Sequence, residues 1–459
     1  MRDGVWSPAR RQLTVGLTLT ISLVALESLA IGTVLPKVSD DLGGVSLYGW
    51  VFSAFFLGTM VGIVVAGQSA DRLGAAPGFT VGLSLFALGL LAGGLAPTML
   101  VLVLARAVQG FGAGAVPAIG YVAIGRSYPE ALRPRMFAVL SSAWVIPGIL
   151  GPTLATVVEH AFGWRTVFMG LLPFVIVAGI LTLPSLRPIG PGTVDDDDVP
   201  DRSRLPDALR VAAGAAAVLA GLGNHNPLLL AALVIGGAVV AWPAYLRLVP
   251  AGTVQARPGL PAAVLERGIL TFAFFGADAY VPLALHEVRG MSTFWIGVSV
   301  TLTTLTWTTG AWMQERLVHR VGARRLVVLG HAIILGGIAV TALMLWRDVP
   351  VAVGFVGWTV GGLGIGLAYA PISLTVLREA PAGREGAVTS ALQLTDQLGV
   401  SLGTGFGGAA VAVGDARGWD AATGIAVAWG VAAAVAVVGM LVGRRLPGPV
   451  AVVEPTSVG

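Results

Sequence analysis

The sequence predicts an all-α integral membrane protein with fourteen spans: two six-helix halves and two extra helices between them. Three observations carry that reading. Of 459 residues, 55% are hydrophobic and 11% charged, with a mean hydropathy of +0.84, whereas soluble domains hold about 25% charged residues. Apolar stretches of the roughly 20 residues needed to cross hydrocarbon recur from residue 13 to residue 443. A charged, glycine-bearing turn also appears twice, once in each half. Helices are the spanning element, because backbone groups in lipid must pair within their own segment and the alternation of an outer-membrane barrel is missing.

The first six spans are predicted near 13–35, 48–70, 78–96, 99–124, 135–157 and 164–184. Two weaker ones follow near 208–223 and 227–246, and the last six near 265–285, 294–314, 326–346, 351–377, 387–412 and 421–443. The N-terminal "MRDGVWSPARRQ" runs straight into the first span without a small-residue cleavage site, so an uncleaved first helix is expected. Charge sets the orientation. With the N-terminus inside, only Lys37, Arg165, Arg289, Arg347 and Arg417 fall outside, and Arg106 alone lies within a span. The remaining basic residues, among them Arg10, Arg72, Arg126, Arg316, Arg324 and Arg444, fall on the inner side. That asymmetry places both termini in the cytoplasm and accounts for the basic pI without a nucleic-acid partner.

The central pair begins with the Ala/Gly-rich "ALRVAAGAAAVLAGLGN", barely long enough to span. If only one of the pair crossed, the second half would invert and "ERLVHRVGARR" would face outward, so both are expected to cross. The polar linker 185–207, with four consecutive aspartates, reads as a solvated joint. The expected organisation is therefore 1–184 for the first half, 185–261 for the linker and central pair, and 262–459 for the second half and tail. The repeat supports it: Asp71-Arg72-x-Gly74 after the second helix corresponds to His319-Arg320-x-Gly322. A duplicated fold implies a central site between its halves.

Charged residues inside spans are the candidates for chemistry. Glu27 interrupts "LVALESLAIGTVLP", where an acidic residue costs roughly 2.5–3.5 kcal/mol. It either lines a watery cavity and carries a proton, or serves as a structural partner for Arg106. Arg106 keeps its proton and needs a counter-charge or several carbonyls, with Gln109 on the same face. Asp278 lies in the first helix of the second half, interrupted by Pro282, as a cavity carboxylate or at the outer water boundary. Gln393, Asp396 and Gln397 share one helix face, as glue or as cavity lining. Trp144, Tyr280, Trp307, Trp312 and Trp358 are candidates to shape a pocket, against ordinary packing or interfacial roles. Pro147, Gly148, Gly151 and Pro152 predict a bent fifth helix that admits a close neighbour. The glycine runs "GFGAG" (110–114) and "GLGIG" (362–366) follow no strand, so they carry no nucleotide reading; the first reads as a smooth packing face. His331 reads as an isolated structural residue. The chain has no cysteine, and no sequence cluster has metal-ligand spacing. No nucleophile–base pair appears either, so an enzyme is not expected.

These motifs together resemble the major facilitator superfamily, and within it the drug:proton antiporters with fourteen helices. "LESLAIGTVLP" is similar to their first-helix signature, with Glu27 where an aspartate is usual. "GQSADRLG" is similar to the loop after the second helix, giving Asp71, Arg72 and Gly74 a conformational role. "RAVQGFGAG" and "PGILGPTLAT" are similar to the fourth- and fifth-helix motifs, and "GWRTVF" to the entry of the sixth. The chain departs from the pattern at Ala75 and Ala76, usually basic, and at Ala155 and Thr156, usually Gly-Gly. The resemblance implies proton-coupled efflux of a lipophilic, cationic compound, with protons as the coupling ion and no cofactor. Glu27, Arg106, Asp278 and Asp396 would carry the coupling, in a monomer of the plasma membrane. Export of a lipid or glycolipid, and a non-transporting receptor, are the alternatives.

Overall fold

The computed structural model of the chain describes residues 4–129, 132, 135–136, 139–140, 143, 145–191, 204–224, 226–381 and 385–448, and among them it is helical with no strand. The aspartate run of the linker and Trp144 lie outside the described residues, as do the side chains of Asp71 and His319. The first helices are α1 (Pro8–Leu42), α2 (Tyr48–Leu73), α3 (Ala75–Gly94), α4 (Met99–Ser127) and α5 (Val145–Phe162). The sixth expected span is split at Gly170 into α6 (Trp164–Met169) and α7 (Leu172–Leu186). The central pair is α8 (Arg204–Leu222) and α9 (Pro227–Leu248). Then follow α10 (Leu260–Asp278), α11 (Thr293–Val321), α12 (Ala323–Ala342), α13 (Val351–Glu379), α14 (Glu385–Ala416) and α15 (Ala421–Gly443). Pro282 breaks the continuation of α10 as the sequence predicts, leaving a short helical turn and then a π-helical turn at Ala284–Val288.

Eleven helical segments among the described residues are long and apolar enough to cross a membrane, α8 and α9 included. The three other expected spans are the helices α5, α11 and α14, of 18, 29 and 32 residues. In α11 the run "TLTTLTWTTG" dilutes the apolar character, and most of its threonine hydroxyls, Thr301 excepted, are spent on carbonyls one turn back, as in Thr304 to Val300 and Thr308 to Thr304.

The repeat read from the sequence is reproduced in backbone geometry. Gly74 and Gly322 join the second helix to the third in each half with φ of +86° and +84°, a region that favours glycine. The helices that follow, α3 and α12, are both 20 residues long, and α4 and α13 are both 29. A Cβ on Gly110, Gly112 or Gly114 would collide with the carbonyls of Phe55, Gly82 and Thr59. In the second half, Gly362, Gly364 and Gly366 stand against those of Thr303, Gly330 and Trp307. Both glycine runs are thus crossing points where one helix rests on two neighbours.

The two halves meet along α2 with α14 and along α5 with α11. Ser53 donates to the Ser401 carbonyl (2.9 Å), and Gly49 crosses Gly408. On the other side Gly148 abuts Thr304, Gly151 abuts Leu26 of α1, and Thr156 donates to the Thr293 carbonyl (3.3 Å). The departures from the family pattern have physical reasons here. Thr156 supplies a hydroxyl that bridges the halves, and Ala75 is fully buried where a basic side chain has no room. At the end of the bundle opposite the termini, His286 Nε2 lies 2.8 Å from Asp40 Oδ2, again across the halves. At the termini end, Arg126 donates to the Ala70 and Gly190 carbonyls, Arg324 to the Leu446 carbonyl and Arg445 to the Gln255 carbonyl. The central pair packs as a hairpin with α8 against α2 and α14, while α9 shows most of its surface outward.

Gly110→Ala and Gly362→Ala are each expected to destabilise the protein by about 1–3 kcal/mol through overpacking, read as a lower thermal midpoint in detergent. Gly236→Ala, where a Cβ meets open space, should not lower it. Equal midpoints for all three would show the crossings to be loose.

Candidate functional site

Glu27 lies midway along α1 and is fully buried, as are Arg106 and Gln109 on α4. The Arg106 guanidinium donates through Nη1 to Glu27 Oε1, and also to Gln109 Oε1 at 2.7 Å. Its Nε donates to the Val51 carbonyl of α2 at 3.3 Å, and its Cζ lies 4.1 Å from the Phe55 ring centroid. Three helices and one aromatic ring therefore hold a charge that hydrocarbon would reject. Two atoms of the cluster, Glu27 Oε2 and Gln109 Nε2, are buried without a hydrogen-bond partner. The sequence-predicted group of Glu27, Arg106 and Gln109 is thus brought together.

The second half repeats the contact with different chemistry. Trp358 Nε1 donates to Asp278 Oδ1 at 2.6 Å, joining the first and fourth helices of that half. Trp358 is the eighth residue of α13, as Arg106 is of α4. An indole stands where the first half has a guanidinium, and no cation contacts the Asp278 carboxylate among the described residues. Trp358 stacks on Phe274 (5.2 Å), whose ring meets Trp307 edge-on (5.4 Å). Of the other aromatic candidates, Tyr280 donates to the Thr404 carbonyl and rests on Tyr48, tying the turn after α10 to α14 and α2. Trp312 is 64% exposed on the outer face of α11, so it shapes no central pocket.

Asp396 belongs to a third group. Tyr369 donates its hydroxyl to Asp396 Oδ2 at 3.1 Å, and Arg267 Nε stands 4.0 Å from Oδ1. Arg267 also donates to the Tyr369 carbonyl (2.9 Å) and to Ser373, with its Cζ 3.5 Å from the Tyr369 ring centroid. This corrects the expectation that Arg106 is the one cation within the spans. Arg267 sits inside α10 and is 1% exposed, close enough to the predicted start at 265 to pass for an inner flanking residue. Its neighbour Glu266 was missed for the same reason. His331 is not isolated, since its Nδ1 lies 3.2 Å from Glu266 Oε1, both fully buried. Gln397 Oε1 is buried without a partner, while Gln393 is only half-buried. Arg72 is exposed at the end of α2. Asp40, His286 and Glu287 bring ligand-type atoms within 4.8 Å of one another at the loop end, from positions far apart in sequence.

A duplicated helical bundle that buries charged contacts between the first and fourth helix of each half is built as a membrane transporter rather than an enzyme. The Major Facilitator Superfamily model matches residues 17–404, and the chain belongs to that superfamily. The chain is 26% identical over 422 residues to the multidrug transporter protein MdtP of Bacillus subtilis, covering 86% of this chain and 74% of that protein. It is also 26% identical over 447 residues to a probable multidrug-efflux transporter of Mycobacterium tuberculosis, covering 93% and 94% of the two. Among solved structures, a D-xylose-proton symporter shares the fold with a TM-score of 0.68 at 13% identity, over 96% of this chain and 98% of that one. A peptide transporter of the POT family does so at 0.68 and 16% identity, over 97% and 99%.

Arg106→Met alone is expected to cost roughly 3–5 kcal/mol of stability, because it strands the buried Glu27 charge. Adding Glu27→Gln should recover most of the loss in a detergent unfolding assay. A double variant no more stable than the single one would mean that the two side chains are not coupled.

Proposed function

We propose that the chain exports a lipophilic, cationic compound in exchange for protons, with Glu27 as the proton carrier. The observation that carries this reading is the cluster of Glu27, Arg106 and Gln109. An ionised Glu27 is tied to a cation that cannot give up its proton, so α1 is held to α4. Proton uptake removes the charge that holds them and frees the two helices to shift. The names of the curated relatives, multidrug transporters over most of their length, support a small-molecule substrate.

Asp278 supports the cationic character. Its carboxylate is held by a neutral indole beside the Phe274 and Trp307 rings, and a negative charge among aromatic faces suits a lipophilic cation. Asp396, beside Arg267 and Tyr369, would be the second proton-linked carboxylate. In this reading the chain is a fourteen-span plasma-membrane monomer with both termini in the cytoplasm. Its halves, 1–184 and 262–459, rock about the central site and carry the linker and hairpin of 185–261 between them. With the termini in the cytoplasm, the contacts at the opposite end would close this conformation to the outside.

In inside-out proteoliposomes, wild-type protein should take up a fluorescent lipophilic cation when a proton gradient is imposed. Glu27→Gln should abolish gradient-driven uptake while leaving cation binding within about threefold. A mutant that transports like wild type would remove Glu27 from the mechanism. Absence of flux in the wild type would turn the search to lipid substrates. The outer contact gives a separate check. Because the chain has no cysteine, Asp40→Cys with His286→Cys forms a unique pair for a short thiol cross-linker. Cross-linking should stop flux and reduction should restore it, whereas undiminished flux would mean that the contact need not open.

A further inference from the structure

The foot of the central hairpin carries a feature that the transport reading leaves unused. Asp207, in the first turn of α8, is fully buried, and its Oδ1 accepts from two guanidinium groups. Arg210 Nη1 lies 2.7 Å away and Arg247 Nη1, from the last turn of α9, 3.2 Å. One carboxylate therefore gathers two cations, leaving the trio with a net charge of +1. The arginine side chains are 53% and 62% exposed. Each guanidinium has five N–H donors, and among the described residues no acceptor other than Asp207 meets either of them.

Between the two arginines lies a cavity of about 280 Å³ whose remaining lining is apolar: Val239, Val240, Pro243 and Ala244. Val239 and Val240 are 66% and 46% exposed on the outward face of α9, and Trp242 beside them is 53% exposed. An exposed apolar face on a spanning helix looks into lipid, and an outward tryptophan near its end marks the headgroup level. The position is also the end of the bundle that holds the termini, where the residues flanking the spans are mostly basic.

We propose that this groove binds one anionic phospholipid, its phosphate seated on Arg210 and Arg247 and its acyl chain along Val239 and Val240. The chemistry selects the occupant. A guanidinium pair fixed by a buried carboxylate matches the oxygens of a phosphate, and basic pockets between helices on the cytoplasmic side suit anionic headgroups. A free phosphate gains nothing from the apolar wall, and a zwitterionic lipid brings its own cation to a site that already has excess positive charge. The site reaches the moving parts of the fold. Through α8 the hairpin packs on α2 and α14, and through α9 it touches α14, where Tyr245 lies 3.3 Å from Thr395, next to Asp396. A lipid that fastens α8 to α9 stiffens the element lying across the seam between the halves.

The test is native mass spectrometry of the full-length, delipidated protein titrated with phosphatidylglycerol or phosphatidylcholine. Wild type should retain one phosphatidylglycerol at concentrations where phosphatidylcholine is lost. Arg210→Gln with Arg247→Gln should weaken that retention about twenty-five-fold, near fivefold for each charge, and lysine at both positions should keep most of it. Val240→Trp fills the groove without touching Asp207 and should weaken retention as well, which guards against a misfolded double variant. Equal retention of the two lipids by wild type would overturn the proposal, as would unchanged binding in both the glutamine and the tryptophan variants. Displacement of the lipid by equimolar inorganic phosphate would do the same, because it would make the site one for free phosphate.

Discussion

The cost of holding charge in hydrocarbon governs the interior of this protein. A lone carboxylate or guanidinium there is penalised by several kcal/mol, and Glu27, Asp278 and Asp396 each meet that constraint through a neighbour on another helix. Glu27 takes Arg106, Asp278 takes the Trp358 indole, and Asp396 takes Tyr369 beside Arg267, whereas Glu266 lies beside His331 with no hydrogen bond to either of its oxygens. Each contact fixes the rotation of one helix against another. The electrostatics of the site and the register of the bundle are therefore the same set of interactions, and a change in protonation at one of them would also loosen a helix contact.

Packing in lipid cannot rely on the exclusion of apolar surface from water, so it rests on close backbone approach. The three glycines of α4 and their counterparts in α13 provide that approach at equivalent points. Duplication is plain in this framework, with helices of equal length and matching left-handed turns at Gly74 and Gly322. The side chains of the candidate site have diverged on top of it. Arg106 and Trp358 occupy matching positions, yet one carries a permanent charge and the other a single N–H. The two halves present the same geometry and unequal electrostatics.

Much of this was legible in the sequence because membrane helices advertise themselves by length, and a charge within an apolar run stands out. Glu27 and Arg106 were found that way, and the Gly-bearing turns disclosed the repeat. Arg267 and Glu266 were not, because they sit two residues or fewer inside a predicted boundary, where a charged residue is ordinary flanking sequence. The pairing of Glu266 with His331 joins residues of α10 and α12, and no local pattern links them. Trp312 shows the opposite failure: its spacing does not say which side of α11 faces lipid, and that is set by the crossing at Gly310 and Gly366. The link from Asp278 to Trp358 needed the two helices placed side by side.

The contacts at the loop end have a pharmacological corollary. In this conformation Asp40 meets His286 and Thr156 meets Thr293, so α1 and α5 are fastened to the second half at the end opposite the termini. A bulky blocker arriving from that side would have to part those contacts before it reached Glu27. If the chain transports as proposed, a compound that reached the interior from the bilayer would bypass those contacts, and its potency would follow its partitioning into lipid more than its concentration in water.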